Sequence, residues 1–153
     1  MDATEPEGWP GVLHREGRTL CRLARDPSGS GTGPAAKGQG VVFHNPAMAG
    51  SRTRSVLLLQ HCIESGLLGD GSIYALDGLS ATGLRARRWL NELPAQSATR
   101  ISATMGDMDP VALDWAMRCH EEFPPEHGEG ELLPHLGDLR KSVLEHGRHW
   151  VDI

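Results

Sequence analysis

The sequence predicts an α/β fold built on a parallel sheet, and three features predict it. Ser72-Ile-Tyr-Ala-Leu76 is a short apolar run of strand formers, while residues 84–93 carry Leu84, Trp89, Leu90 and Leu93 at near-helical spacing. The link between them, Asp77-Gly-Leu-Ser-Ala-Thr-Gly83, is a tight turn of small residues. The alternation then repeats: Arg100-Ile-Ser-Ala-Thr-Met105 reads as a second strand and is followed by a helix opening at Pro110.

At 153 residues the chain has the size of one domain and is long enough to build a hydrophobic core. A hydrophobic share of 39% beside 23% charged residues is that of a soluble protein. The apolar run at residues 56–59 is broken at once by Gln60 and His61, so no membrane span is expected. The acidic start, Met1-Asp-Ala-Thr-Glu-Pro-Glu7, lacks the basic-then-apolar pattern of a signal peptide. Cys21, Cys62 and Cys119 are odd in number and far apart, which indicates neither a disulfide framework nor a zinc site. None of the eight histidines stands at metal-ligand spacing from another His or a Cys, so no metal is expected. A cytoplasmic protein is the default. The net charge of −5 argues mildly against nucleic acid as a partner of the whole surface. Hydrolase and nucleoside-triphosphatase signatures (Gly-x-Ser-x-Gly, Gly-Lys-Ser/Thr) do not occur.

Taken in order, residues 11–24 read as two short strands around Arg15-Glu-Gly17, a β-hairpin. Residues 26–40, rich in Gly, Ser and Pro, read as a loop. The chain thus divides into a hairpin with its loop, 1–40, and a main domain, 41–153. Asn45-Pro46 is a turn signal and Ser51 a candidate N-cap for a helix with the apolar stripe Val56, Leu59, Cys62 and Ile63, ending near Gly66. Arg52 and Arg54 then lie at the end of the helix where the dipole disfavours cations. That cost is offset if one of them grips an anion; two solvated arginines are the plainer alternative.

In the central turn, Gly78 and Gly83 let the backbone bend and approach a ligand closely. Ser80 and Thr82 are candidates to serve the free N–H groups that open the helix. Such a turn holds the polar end of a small molecule at the carboxyl edge of a parallel sheet, unless it is an ordinary strand-to-helix connection. An acid at the end of the second strand is where nucleotide-type folds hold a ribose. Asp109 suits the cap of the next helix, which leaves Asp107 for that role. Residues 123–130 form an acidic loop, Leu132-Leu-Pro-His-Leu136 a weak third strand, and Asp138 opens a helix over 139–146. His149-Trp-Val-Asp-Ile153 begins a fourth strand, and the expectation is an N-terminal fragment of a longer protein.

Four segments together resemble the tRNA (guanine-26) N2-dimethyltransferases. Val42-Phe-His-Asn-Pro46 followed by Arg52 is similar to that family's V-F-Y-N-P and its downstream Arg. Leu76-Asp-Gly-Leu-Ser-Ala-Thr-Gly-Leu-Arg85 resembles L-D-A-L-S-A-T-G-I/L-R. Gly106-Asp-Met-Asp-Pro-Val-Ala112 resembles N-D-x-D/N-x-x-A, and Gly137-Asp-Leu-Arg140 resembles N-D-A-R. The departures are His44 for Tyr, Gly78 for Ala, Gly106 and Gly137 for Asn, and Leu139 for Ala.

The resemblance implies a Rossmann-like class I methyltransferase fold, truncated in its fourth strand. It implies S-adenosylmethionine as cofactor and tRNA as partner, gripped mainly by parts of the parent protein beyond this chain. By carry-over the cofactor contacts are Phe43, Arg52, Asp77, Gly83, Arg85, Asp107, Asp138 and Leu139. Arg52 or Arg85 would bind the methionine carboxylate, Asp77 the ammonium, Asp107 the ribose hydroxyls and Asp138 the adenine amine. Met108 and Leu139 would be apolar walls. No catalytic residue is assigned: the family's Asp-Pro-Phe-Gly falls after the fourth strand, and this chain alone is expected to bind the cofactor weakly at best and not to methylate tRNA. Nuclear or mitochondrial placement joins the cytoplasmic default if the source is eukaryotic. Three rivals remain: a class I methyltransferase for a small molecule or a protein, a Rossmann-type dinucleotide domain, and a non-catalytic paralogue.

Overall fold

A computed structural model of the chain describes residues 4–24, 42–127 and 130–146. Strands β1 (Val12–Glu16) and β2 (Thr19–Leu23) form an antiparallel hairpin in which Glu16 pairs with Thr19. The turn is therefore the two residues Gly17 and Arg18, and Gly17 takes a φ of 58° that glycine adopts without strain.

Helix α1 (Ala49–Glu64) begins earlier than its sequence suggests. A 3-10 turn, Pro46–Met48, precedes it, and the Asn45 side chain caps that turn by accepting from Ala47 N at 3.0 Å. Ser51 is therefore inside the helix, not at its cap. The chain enters already wound, because Asn45 before Pro46 is itself an efficient cap. At the other end Gly66, with φ 76°, closes a Schellman motif: Leu67 N donates to Cys62 O and Gly66 N to Ile63 O.

The sheet has the order β3-β4-β5, all parallel, formed by Ile73–Asp77, Ile101–Asp107 and Glu131–Leu136. Pro134 is tolerated because β5 is an edge strand among the described residues. Helix α2 (Leu84–Glu92) joins β3 to β4, with the short α3 (Ala95–Ala98) after Pro94; α4 (Pro110–Glu122) joins β4 to β5, and α5 (Leu139–His146) follows. Ile73, Ala75, Ile101, Ala103, Met105 and Leu132 form one buried face against Leu90, Trp89, Leu113 and Ala116. This is the α/β fold with a parallel sheet and an N-terminal hairpin that the sequence predicts. The expected loop over 26–40 and the expected fourth strand, His149 to Ile153, lie outside the described residues.

The hairpin packs on the helices that cover the sheet. Trp115 of α4 is fully buried and its indole Nε1 donates to Arg22 O at 2.8 Å. Trp9 stacks edge-on against that ring at 5.0 Å. Arg88 of α2 donates to Glu92 at 2.9 and 2.8 Å and to Glu16 of β1 at 2.8 Å.

Candidate functional site

A hollow of about 80 Å³ opens where β3 ends. Phe43, His44, Asn45 and Met48 line one side; Arg52 comes from α1; Asp77 is the last residue of β3, Leu79, Ser80, Ala81 and Thr82 come from the turn after it, and Leu84 and Arg85 from the start of α2. A larger cavity of about 240 Å³, lined by Arg18, Leu20, Asn91, Phe123, Pro124 and Glu126, lies at the far ends of α2 and α4 and brings no comparable charge pair together.

The turn after β3 is held in an unusual shape. Ala81 adopts φ 44°, a left-handed conformation that costs a non-glycine residue about 1–2 kcal/mol. Its N–H donates to Asp107 Oδ2 at 2.8 Å, and Asp107 Oδ1 accepts from Asp109 N at 3.0 Å. Asp109 in turn caps α4 by accepting from Val111 N at 2.9 Å, the division of labour expected from the sequence. Gly83 is the N-cap of α2 at φ 67°, with no side-chain cap bond. A Cβ there would overlap Met105 Sδ and Ala116 Cβ, so Gly83 serves close packing of the turn on β4 and α4. The expectation that Ser80 and Thr82 cap α2 is corrected: Ser80 works through its carbonyl, which accepts from Gly83 N at 2.7 Å. Its buried hydroxyl has no partner among the described residues. A buried, unpaired hydroxyl facing a hollow marks a place for a polar ligand atom.

Asp77 and Arg85 supply opposite charges to the hollow. Asp77 is buried, and burial pushes its carboxyl up to about 6, partly offset by the Arg85 charge and the Ala86 N–H. Arg85 Nε lies 3.9 Å from Asp77 Oδ1, and its other nitrogens reach Ser51 O and Oγ at a long 3.3 Å. Arg52 is differently placed. It grips Glu16 with two bonds of 2.7 Å and donates to Asn45 O at 3.2 Å. Burial pushes Glu16 up, but the hydrogen bonds and charges of Arg52 and Arg88 outweigh it and hold the carboxyl below its usual range.

Of the residues singled out in the sequence, Phe43, Arg52, Asp77 and Arg85 meet at this hollow. Asp107 stands one hydrogen bond behind it, through Ala81. Gly83, Asp138 and Leu139 are not among its lining. Asp138 accepts from Arg140 N at 2.8 Å and pairs with the Arg140 guanidinium, whose hydrogen bonds draw its carboxyl down to about 2. Leu139 packs against Gly78, where a Cβ would overlap its Cδ1. Gly78 and Leu139, the two positions that depart from Ala in the motifs the sequence resembles, thus stand in contact. Sequence reasoning did not single out Met48 or Leu79, both exposed apolar residues on the hollow's wall, nor His44 as a wall residue. Burial, the Arg52 charge and His14 hold His44 down at about 4, so its ring is neutral near pH 7.

A parallel sheet with helical crossovers, a tight small-residue turn at its carboxyl edge and an acid ending the second strand define a Rossmann-like α/β fold. The model of the N2,N2-dimethylguanosine tRNA methyltransferase family matches residues 32–120, more than half of the chain, and the chain belongs to that family. No curated protein matches it. At the level of the family, the activity is methylation of tRNA guanine. No helix among the described residues is long and apolar enough to cross a membrane.

Proposed function

We propose that the hollow binds the amino-acid end of S-adenosylmethionine, in the service of N2-methylation of guanine 26 in tRNA. The observation that carries this reading is a buried carboxylate and a guanidinium 3.9 Å apart, with an unpaired serine hydroxyl in the same wall. That donor set is complementary to a zwitterion: Asp77 accepts from the ammonium, Arg85 makes charge-assisted bonds to the carboxylate, and Ser80 Oγ supplies a neutral partner. Arg85 is favoured over Arg52 because its bonds to Ser51 are long, whereas Arg52 is committed to Glu16 at 2.7 Å. A volume of about 80 Å³ suits the amino-acid end and not the whole nucleoside. Phe43 and Met48 extend the wall outward, and Asp107, Met108, Asp138 and Leu139 stand at the strand ends where the ribose and adenine would lie.

When bound, S-adenosylmethionine supplies an electrophilic methyl group. The residues described here orient it and exclude water from its charged end. No Asp-Pro-Phe-Gly segment occurs in the 153 residues, so the proposal gives them cofactor binding and not the proton-accepting step. The tRNA partner and a cytoplasmic setting belong to the same proposal. Equilibrium binding tests it: S-adenosylmethionine and its demethylated product S-adenosylhomocysteine should both bind, and NAD should not. Binding of NAD in preference to both would overturn it in favour of a dinucleotide domain.

A further inference from the structure

Beside the hollow, the fold brings together three side chains that stand far apart in the sequence. His14 and Glu16 are two residues apart on β1 and therefore share one face of the strand. His44 comes from the segment before α1 and lines the hollow. One ligand-capable atom of each of the three lies within 4.8 Å of the others. The two imidazoles meet edge to face at 5.3 Å, and Nε2 of both is buried with no hydrogen-bond partner among the described residues. Two buried nitrogens without partners are a standing cost that ring packing does not relieve.

We propose that His14, His44 and Glu16 form a site for a divalent transition-metal ion of the zinc class, clamping the hairpin to the wall of the hollow. Two imidazoles and a carboxylate, with water completing the shell, form a donor set that zinc accepts. Magnesium and calcium prefer all-oxygen shells and are selected against. Glu16 Oε1 already accepts from Arg52 Nε and Arg88 Nη1, but Oε2 accepts only from Arg52 Nη2 among the described residues, which leaves it a free lone pair. The neighbouring guanidiniums oppose a cation and limit its affinity. They do not forbid it, because Arg52 and Arg88 are matched by Glu16 and Glu92 within one neutral network.

The test is a titration of the whole 153-residue chain with Co²⁺, without cofactor or tRNA. The expected result is visible absorption of a low-symmetry site saturating at one equivalent, displaced by Zn²⁺ but not by excess Mg²⁺. His14→Gln and His44→Tyr (Tyr being the residue of the similar family at that position) should each weaken Co²⁺ binding at least about tenfold. His127→Gln, at an exposed histidine, should leave it unchanged. Should a variant fail to fold, histidine-ring NMR of the unaltered chain decides: Zn²⁺ should shift two imidazoles and spare the rest. A spectrum that stays that of the aqueous ion, or equal binding by folded His44→Tyr protein, overturns the site. None of these readouts involves S-adenosylmethionine, so their failure leaves the cofactor proposal standing.

Discussion

Asp77 carries the hollow's negative charge at a position that resists ionisation. Its carboxyl titrates at about 6 when folded, against an ordinary value of 3.8. The sign follows directly: relative to the unfolded chain, this group favours folding most below about pH 4 and loses that contribution as pH rises through 6. A bound ammonium reverses the preference, because it needs the ionised form. Cofactor affinity should therefore fall as pH drops from 7 to 5, and Asp77→Asn should abolish that dependence along with most of the binding. Calorimetry across this range checks both. Arg52 and Arg85 look alike in the sequence, and either could grip an anion. Their neighbours separate them, and the separating residue, Glu16, lies on a different element. Arg52→Ala should cost about 2–4 kcal/mol in urea unfolding, by leaving Glu16 half-paired in a buried setting. Arg85→Ala should cost less than Arg52→Ala, because its bonds to Ser51 are long, but it also removes the charge that offsets the burial of Asp77 and so should lower stability by about 1–2 kcal/mol near pH 7.

At the scale of elements, the turn after β3 is fixed by its neighbours more than by its own residues. Gly83→Ala combines a positive φ with overlap on Met105 and Ala116, and should destabilise by about 2–4 kcal/mol in denaturant unfolding. Gly78→Ala should cost less, about 1 kcal/mol, because the obstructing Leu139 Cδ1 is the end of a flexible side chain. If that contact sets the cost, Leu139→Ala should remove it in a double-mutant cycle; additive effects would break the link. The strands and helices themselves were legible, since apolar period and turn residues mark them. Boundaries were less so. Ser51 and Asn45-Pro46 are both good start signals, and sequence alone does not rank two competing caps. The short α3 was not foreseen because Pro94 reads as a stop, and a single helical turn has no period to detect.

Across the whole molecule, the hairpin is tied to the site's supports. Thr19 and Cys21 of β2 are fully buried, Trp115 bonds to Arg22, and Glu16 anchors both Arg52 and Arg88. The sequence shows a hairpin; that Glu16, the last residue of β1, organises Arg52 of the hollow and Arg88 behind it depends on contacts between positions 36 and 72 residues apart. The same reason hid the pairing of His14 with His44. What could be read in advance was the local part of the site, the turn from Asp77 to Arg85 and the acid at Asp107. The long-range part waited for the fold. The most direct test of the central claim is calorimetric titration of S-adenosylmethionine into the unaltered chain and the Arg85→Ala variant, side by side near pH 7.5. We expect saturable one-site binding by the former and at least about tenfold loss in the latter, the value of one charge-assisted bond pair, measured at a temperature where both proteins are folded. Equal affinity in the two proteins would contradict the account.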